Sequence, residues 1–257
     1  MEYKTIIYTK SNNVATITLN RPEKLNAINV TAARELREVI DEISGDHDVR
    51  VVILTGAGRG FCAGAELSPR LLGRATITRV RDHMSNVSNM VLGLRNLPKP
   101  IIAAVNGVAA GGGTNLALAC DIVIASEKAR FGQVFINIGL HPDAGGTYFL
   151  PRLVGPAKAC ELMFTGKMID GAEAKSIGMI NEVVPADQLE TSAKNLALKL
   201  TKASPHLISM IKASIYRSLQ ADLPTCLEHE AQANSSCLLD QDFREAAKAF
   251  RVKRKAH

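Results

Sequence analysis

Three turns of small residues carry whatever chemistry this sequence performs. The first is Gly56-Ala57-Gly58-Arg59-Gly60-Phe61-Cys62-Ala63-Gly64-Ala65-Glu66, the second Asn106-Gly107-Val108-Ala109-Ala110-Gly111-Gly112-Gly113-Thr114-Asn115, and the third Gly139-Leu140-His141-Pro142-Asp143-Ala144-Gly145-Gly146-Thr147. Glycine-rich turns after strands let a ligand approach the main chain, so that backbone N–H groups become the donors. The second turn runs straight into the helical stretch Leu116-Ala117-Leu118-Ala119, and N–H groups at that junction lie at the positive end of a helix dipole. Such a junction suits a negative oxygen. No turn fits G-x-G-x-x-G or the phosphate loop with its lysine, so an anion site and a plain structural turn both stand. Asp143 could accept a proton, but a Pro-Asp pair before two glycines is also an ordinary turn or helix cap.

The elements that must position these turns alternate strand and helix. Ile6-Ile7-Tyr8 and Val14 to Leu19 read as the strands of a hairpin around Ser11-Asn12-Asn13. Val51 to Leu54, Ile101 to Val105 and Ile122 to Ile124 are unbroken apolar runs, the pattern of strands covered on both faces. Helices are expected from Thr31 to Ile43, with Thr31 as the cap, and from Val80 to Leu97 before Pro98. From Pro156 onward the pattern is helical almost throughout. Ser204-Pro205 opens a helix that places Ile208, Ile211, Ile215 and Leu219 on one face. This is an α/β chain with a helical last third.

Its 257 residues, 46% hydrophobic and 22% charged, can bury a full core and exclude a disordered or collagen-like chain. The five cysteines (62, 120, 160, 226 and 237) are scattered without C-x-x-C spacing, so free buried thiols are expected and neither disulfides nor a metal site. No apolar run is long enough to span a bilayer, and the first residues lack the pattern of a signal peptide; a cytoplasmic location is expected, with no membrane partner. Residues 244–257 carry six cations against Glu245, a net +5 of the chain's +6. The remainder is close to neutral and aromatics are only 4%, which argues against a nucleic-acid partner. The basic tail suits a phosphorylated ligand or plain solvation.

Five ordered blocks then resemble one family across nearly the whole chain. They are Asn20-Arg21-Pro22 with Leu25-Asn26-Ala27; Gly60-Phe61-Cys62-Ala63-Gly64-Ala65; Lys99-Pro100 through Asn106-Gly107; Ala110-Gly111-Gly112-Gly113; and Gly166-Lys167-Met168-Ile169 through Val183-Val184. The sequence resembles the crotonase (enoyl-CoA hydratase/isomerase) superfamily. That resemblance implies an α/β crotonase fold: a spiral of ββα turns over residues 1–200, with a helical oligomerisation region at 201–257 forming a homotrimer or a dimer of trimers. It implies an acyl-CoA thioester as substrate, with no separate cofactor. Its oxyanion hole, two backbone N–H groups on the thioester oxygen, falls by position on Ala65 and Gly112. Coenzyme A contacts fall on Lys24 and Leu25, on Ala63 and Gly64 along the pantetheine, and on Phe250 and Lys253 in the tail.

The chain departs from the two-glutamate hydratases of that family at both catalytic positions, which hold Asn115 and Phe135. Asparagine can hold a water or substrate oxygen but accepts no proton at neutral pH; phenylalanine does neither and suits an acyl pocket. Asp143 matches the single aspartate of several isomerases in the family, and its turn is most similar to that of the ring-epoxide phenylacetyl-CoA isomerases. Dehalogenases with an aspartate there pair it with tryptophan where this chain has Phe135. Glu66 is read as structural. The resemblance therefore implies an isomerase of fatty or aromatic acyl-CoA, with Asp143 shuttling a proton while Ala65 and Gly112 hold the enolate. A hydratase with unusual acid/base residues is the alternative. A catalytically idle acyl-CoA-binding or RNA-interacting relative is the alternative of another class.

Overall fold

Asn12 and Asn13 both adopt left-handed backbone, φ 53° and 62°, which gives the two-residue turn that a right-twisted hairpin favours. The hairpin joins β1 (Ile6–Ser11) to β2 (Val14–Leu19), pairing Ser11 with Val14. The structure, a computed structural model, describes residues 3–66, 76–239, 243–245 and 247. The proposed tail contacts Phe250 and Lys253 lie outside the described residues.

After the hairpin come α1 (Val30–Gly45), β3 (Val51–Gly56), β4 (Gly60–Cys62), α2 (Ile77–Asn96), β5 (Ile101–Val105), β6 (Val108–Ala110), α3 (Gly112–Leu118), β7 (Ile122–Ser126) and β8 (Arg130–Gly132). Then follow α4 (Gly146–Thr165), β9 (Met168–Asp170), α5 (Gly171–Ser176), β10 (Glu182–Val184), α6 (Leu189–Leu200), α7 (Pro205–Ser218) and α8 (Leu223–Leu239). One sheet runs β1-β2-β3-β5-β7-β10 and a second runs β4-β6-β8-β9. Pairing is parallel except between β1 and β2 and between β8 and β9. The chain gives β3, β5 and β7 to the first sheet and their successors β4, β6 and β8 to the second. The passages after β3 and β5 run through the first two small-residue turns, the passage after β7 is Glu127-Lys128-Ala129, and the third small-residue turn lies between β8 and α4; the repeated ββα path is the spiral that the resemblance implies.

The apolar runs are unbroken because the first sheet is covered twice. Val52, Leu54, Ile101 and Ala103 face the main core with Leu36 and Ile40 of α1 and Leu94 of α2. Val51, Ile53, Ile102 and Ala104 face Leu189, Ala193 and Ala197 of α6. Contacts divide the chain into Met1–Leu200 and Thr201–His257. In the second unit Ile211, Ile215 and Leu219 are exposed.

Two local expectations are corrected. The cap of α1 is Asn29, whose side chain accepts from the Ala32 N–H at 2.8 Å, so the helix starts before Thr31. The stretch after Pro156 also contains β9 and β10, three residues each, too short for a strand period to show among helices.

Glu35 ties the N-terminal segment to α1. It is 4% exposed and accepts from the Lys4 and Thr5 N–H groups and from Thr5 Oγ1. Burial opposes its charge, but these hydrogen bonds together outweigh it and hold the carboxyl below the usual glutamate value. A carboxyl depressed in the fold adds stability that is present above its unfolded pKa, about 4.3, and is lost as pH falls through the folded value. We predict that Glu35→Gln costs about 1–3 kcal/mol in denaturant melts at pH 7, because one acceptor becomes a donor facing donors. The gap to wild type should narrow in melts repeated at acidic pH; an equal gap at both would refute the ionic account.

Candidate active site

The first turn is clamped from below by Asn26. This residue is buried, with φ 57°, and its Nδ2 donates to Ala57 O at 2.9 Å and Gly60 O at 2.8 Å. Its Oδ1 accepts from the Arg21 N–H at 2.8 Å. Residues 25–28 then run beside 63–66: Ala63 N–H donates to Leu25 O (2.9 Å), Ile28 N–H to Gly64 O (2.7 Å) and Glu66 N–H to Ile28 O (2.9 Å). Ile28 bonds the residues flanking Ala65, so the N–H of Ala65 itself points away from that ladder. Lys24 is exposed and Leu25 half-buried beside this segment, so the structure brings Lys24, Leu25, Ala63, Gly64 and Ala65 together at one edge.

Glu66 is occupied elsewhere. Arg21 Nη1 lies 2.8 Å from its Oε2 and also donates to Ala27 O. The guanidinium holds the Glu66 carboxyl below the usual range, with smaller help from Asn29 and Lys24, so it is an ionised structural partner.

The second turn meets the first main chain to main chain. A β-carbon at Gly113 would lie 1.9 Å from Cys62 O, a contact only glycine avoids. Gly111 takes φ 54° with ψ −123°, a conformation closed to other residues. A β-carbon at Gly64 would lie 3.5 Å from the Gly112 nitrogen, so the backbone before Ala65 and the N–H of Gly112 face one another across the two turns. Gly112 begins α3, where an N–H has no carbonyl one turn earlier to bond. The Thr114 hydroxyl, 2.7 Å from Ala109 O, accepts from Gly132 N–H at 3.2 Å and joins β6 to β8 beneath the turn.

The third turn brings the carboxylate. A β-carbon at Gly112 would lie 3.4 Å from Asp143 Oδ1 and 4.0 Å from Gly64 Cα. Gly64, the residue before Ala65, thus meets Gly112 and Asp143 from positions up to 79 apart in sequence. Asp143 is half-buried, and its carbonyl accepts from Gly146 N–H at 2.9 Å where α4 begins. The Phe135 ring packs 3.5 Å from a β-carbon position on Gly111, putting a hydrocarbon face over the glycine triplet. His141 is exposed and its Nδ1 lies 2.7 Å from Pro142 O.

Asn115 is placed differently from the substrate contact expected for it. The side chain is fully buried; its Nδ2 donates to Asp143 O at 2.8 Å and its Oδ1 accepts from Gln133 Nε2 at 2.6 Å. With no exposed surface it reaches the protein's own backbone and not a ligand. Gln133 carried no signal beyond its place in Phe131-Gly132-Gln133, and Asn26 none beyond its block; both act through hydrogen bonds that spacing alone does not reveal. Among the described residues no cluster of histidine, cysteine and carboxylate could hold a metal ion, and no helix is long and apolar enough to cross a membrane.

Comparison with known proteins agrees with this geometry. The family model described as enoyl-CoA hydratase/isomerase matches residues 9–257. A short-chain-enoyl-CoA hydratase of Clostridium acetobutylicum is 41% identical, covering 99% of this chain and 97% of that protein. A 1,2-epoxyphenylacetyl-CoA isomerase of Escherichia coli is 40% identical over 94% of this chain and 93% of its own length. The crystal structure of an enoyl-CoA hydratase from Bacillus anthracis superposes with a TM-score of 0.92 at 38% identity, covering 97% of both chains. The match of the family model over residues 9–257, with relatives of about 40% identity along nearly the whole chain, places the chain in the enoyl-CoA hydratase/isomerase family of the crotonase superfamily.

Proposed function

We propose that this protein is an acyl-CoA isomerase that moves a double bond through a thioester enolate. The observation that carries the reading is the single carboxylate oxygen of Asp143 at Gly112, with the Phe135 ring over the adjacent glycine where the two-glutamate pattern has its second carboxylate. Asp143 takes a proton from a carbon of a β,γ-unsaturated acyl-CoA, and the electron pair moves onto the thioester oxygen. The N–H groups of Ala65 and Gly112 hold that oxyanion; a preoriented donor of this kind is worth roughly 10²–10³ in rate. The protonated Asp143 returns its proton to another carbon, so the product is an isomer and nothing is added. A proton shuttle needs one base, whereas adding water across the double bond needs groups on both sides of a water. The thioester itself is the only coenzyme the scheme requires. The named hydratase relatives favour the second reading, water addition with Asp143 as the base.

We predict that Asp143→Asn slows exchange of the substrate's labile proton with deuterated solvent by roughly 10²–10⁴. Acyl-CoA affinity should change little. Mass detection over a panel of unsaturated acyl-CoA thioesters separates the two reactions: an isobaric product is expected, and gain of one water would make the enzyme a hydratase. Exchange at the wild-type rate in a folded, binding Asp143→Asn variant would move the base elsewhere.

For the coenzyme, we assign the 3′-phosphate and pyrophosphate to Lys24 and to the basic tail with Phe250 and Lys253. Assembly as a trimer or a dimer of trimers is supported by the uncovered Ile211 and Ile215 of α7 and Leu219 at its C-terminal cap. Light scattering should return three or six times the chain mass, and a monomer would overturn the assembly. Removing residues after Ala249 should weaken coenzyme A binding in the still-assembled protein, measured by calorimetry; unchanged affinity would remove the tail from the site.

A further inference from the structure

We propose that Asn115 is a positioning residue: its amide, oriented by Gln133, fixes the Asp143 turn so that the carboxylate stands at Gly112. The proposal rests on the reading of Asp143 as the base. Three neighbours bound the Asn115 amide. Asp143 O is 2.8 Å away and can only accept, so the atom facing it is Nδ2. Oδ1 therefore faces Gln133, and the atom of Gln133 that lies 2.6 Å from it is Nε2. On the third side, a β-carbon at Gly146 would lie 2.5 Å from Asn115 Nδ2, so the amide is packed flat against the first residue of α4 and cannot swing aside.

The direction of this chain has a cost. Gln133 is 2% exposed, and its Oε1 has no hydrogen-bond partner among the described residues. A buried acceptor left unsatisfied is destabilising. Donation toward Asp143 is what the arrangement keeps in exchange, since turning the Gln133 amide over would put oxygen against oxygen at Asn115. The Asp143 carbonyl thus receives two donors, Asn115 Nδ2 and the Gly146 N–H. Its peptide is held within a turn whose next two residues, Ala144 and Gly145, are both left-handed.

Position 115 is where the two-glutamate pattern carries a carboxylate. An ionised carboxylate accepts and cannot donate, so it would lose the bond to Asp143 O and add a charge beside the same residue. The chain uses an amide there to set a carboxylate elsewhere. Asn115 touches no substrate, and its effect should appear in turnover and not in binding.

The experiment measures isomerisation of 3-hexenoyl-CoA, with melting temperature as the check on folding. Asn115→Asp, nearly isosteric, should lower kcat by about 10²-fold, the usual effect of an ångström-scale displacement of a catalytic group, with KM within a few-fold of wild type. Its deficit relative to wild type at the same pH should narrow as pH falls, because the protonated carboxyl regains an O–H donor; the deficit of Asn115→Ala should not. Gln133→Met removes the orphan acceptor on Gln133 but leaves Asn115 Oδ1 without its donor, so it should melt near the wild-type temperature yet turn over several-fold more slowly. The double variant Asn115→Asp/Asp143→Asn should be no slower than Asp143→Asn alone. Wild-type kcat in folded Asn115→Asp and Gln133→Met, beside a dead Asp143→Asn, would overturn the positioning role and leave the base standing. Wild-type turnover in Asp143→Asn would instead sink the base itself and this inference with it. If Asn115→Asp does not fold, Gln133→Met decides alone.

Discussion

Close approach of main chain to main chain is the constraint on which this structure depends. Gly113 lies against the Cys62 carbonyl with no room for a methyl group, and Gly64 faces the Gly112 nitrogen across the same gap. Backbone can approach backbone this closely only where strands stop and side chains are absent. The two-sheet spiral provides such places side by side, since β4 and β6 pair in the second sheet and end at Cys62 and Ala110, just before the residues that meet. The second sheet, built from three-residue strands, contributes little area. Its effect is to hold the crossing points in register, with β4, β6 and β8 side by side beneath the glycines.

Side chains around the crossing divide into clamps and one poised group. Asn26 and Arg21 spend their donors on Ala57, Gly60 and Ala27 carbonyls, and Glu66 spends its charge on Arg21. Asn115 and Gln133 hold the third turn in the same manner. The clamps are amides and an ion pair bonded to the protein itself, and the Asp143 carboxylate they surround lies beside Gly112 of the glycine triplet.

How far the sequence announces this depends on the range of each interaction. β3 and β5 are legible as unbroken apolar runs and α1 by its helical period. β4, β6, β8, β9 and β10 leave none, since three residues are too few to show alternation. The start of α1 was misplaced by two residues because Val30 and Thr31 both suit a helix entrance and only the Asn29 bond to Ala32 decides. At the site, Ala65, Gly112 and Asp143 could be named from ordered motifs, although composition and spacing alone yielded only an anion turn. Asn115 was legible as a departure from the hydratase pattern but not as a buried clamp, because its partner is the carbonyl of a residue 28 positions away. Hydrogen bonds to the backbone carry no sequence signature at the acceptor.

Cys62 offers a last consequence of the same packing. Its carbonyl is the floor against which Gly113 rests, and its thiol is fully buried, with burial raising its pKa to about 12 despite the Gly64 N–H beside it. A thiol that stays protonated and shielded is a poor nucleophile toward peroxide or an alkylating reagent. Cys160, on the exposed side of α4, is open to such reagents, and Cys226 and Cys237 are partly so. The residue on which Gly113 rests is therefore insulated from redox chemistry: oxidants can mark the outside of this molecule without reaching the buried sulfur of Cys62.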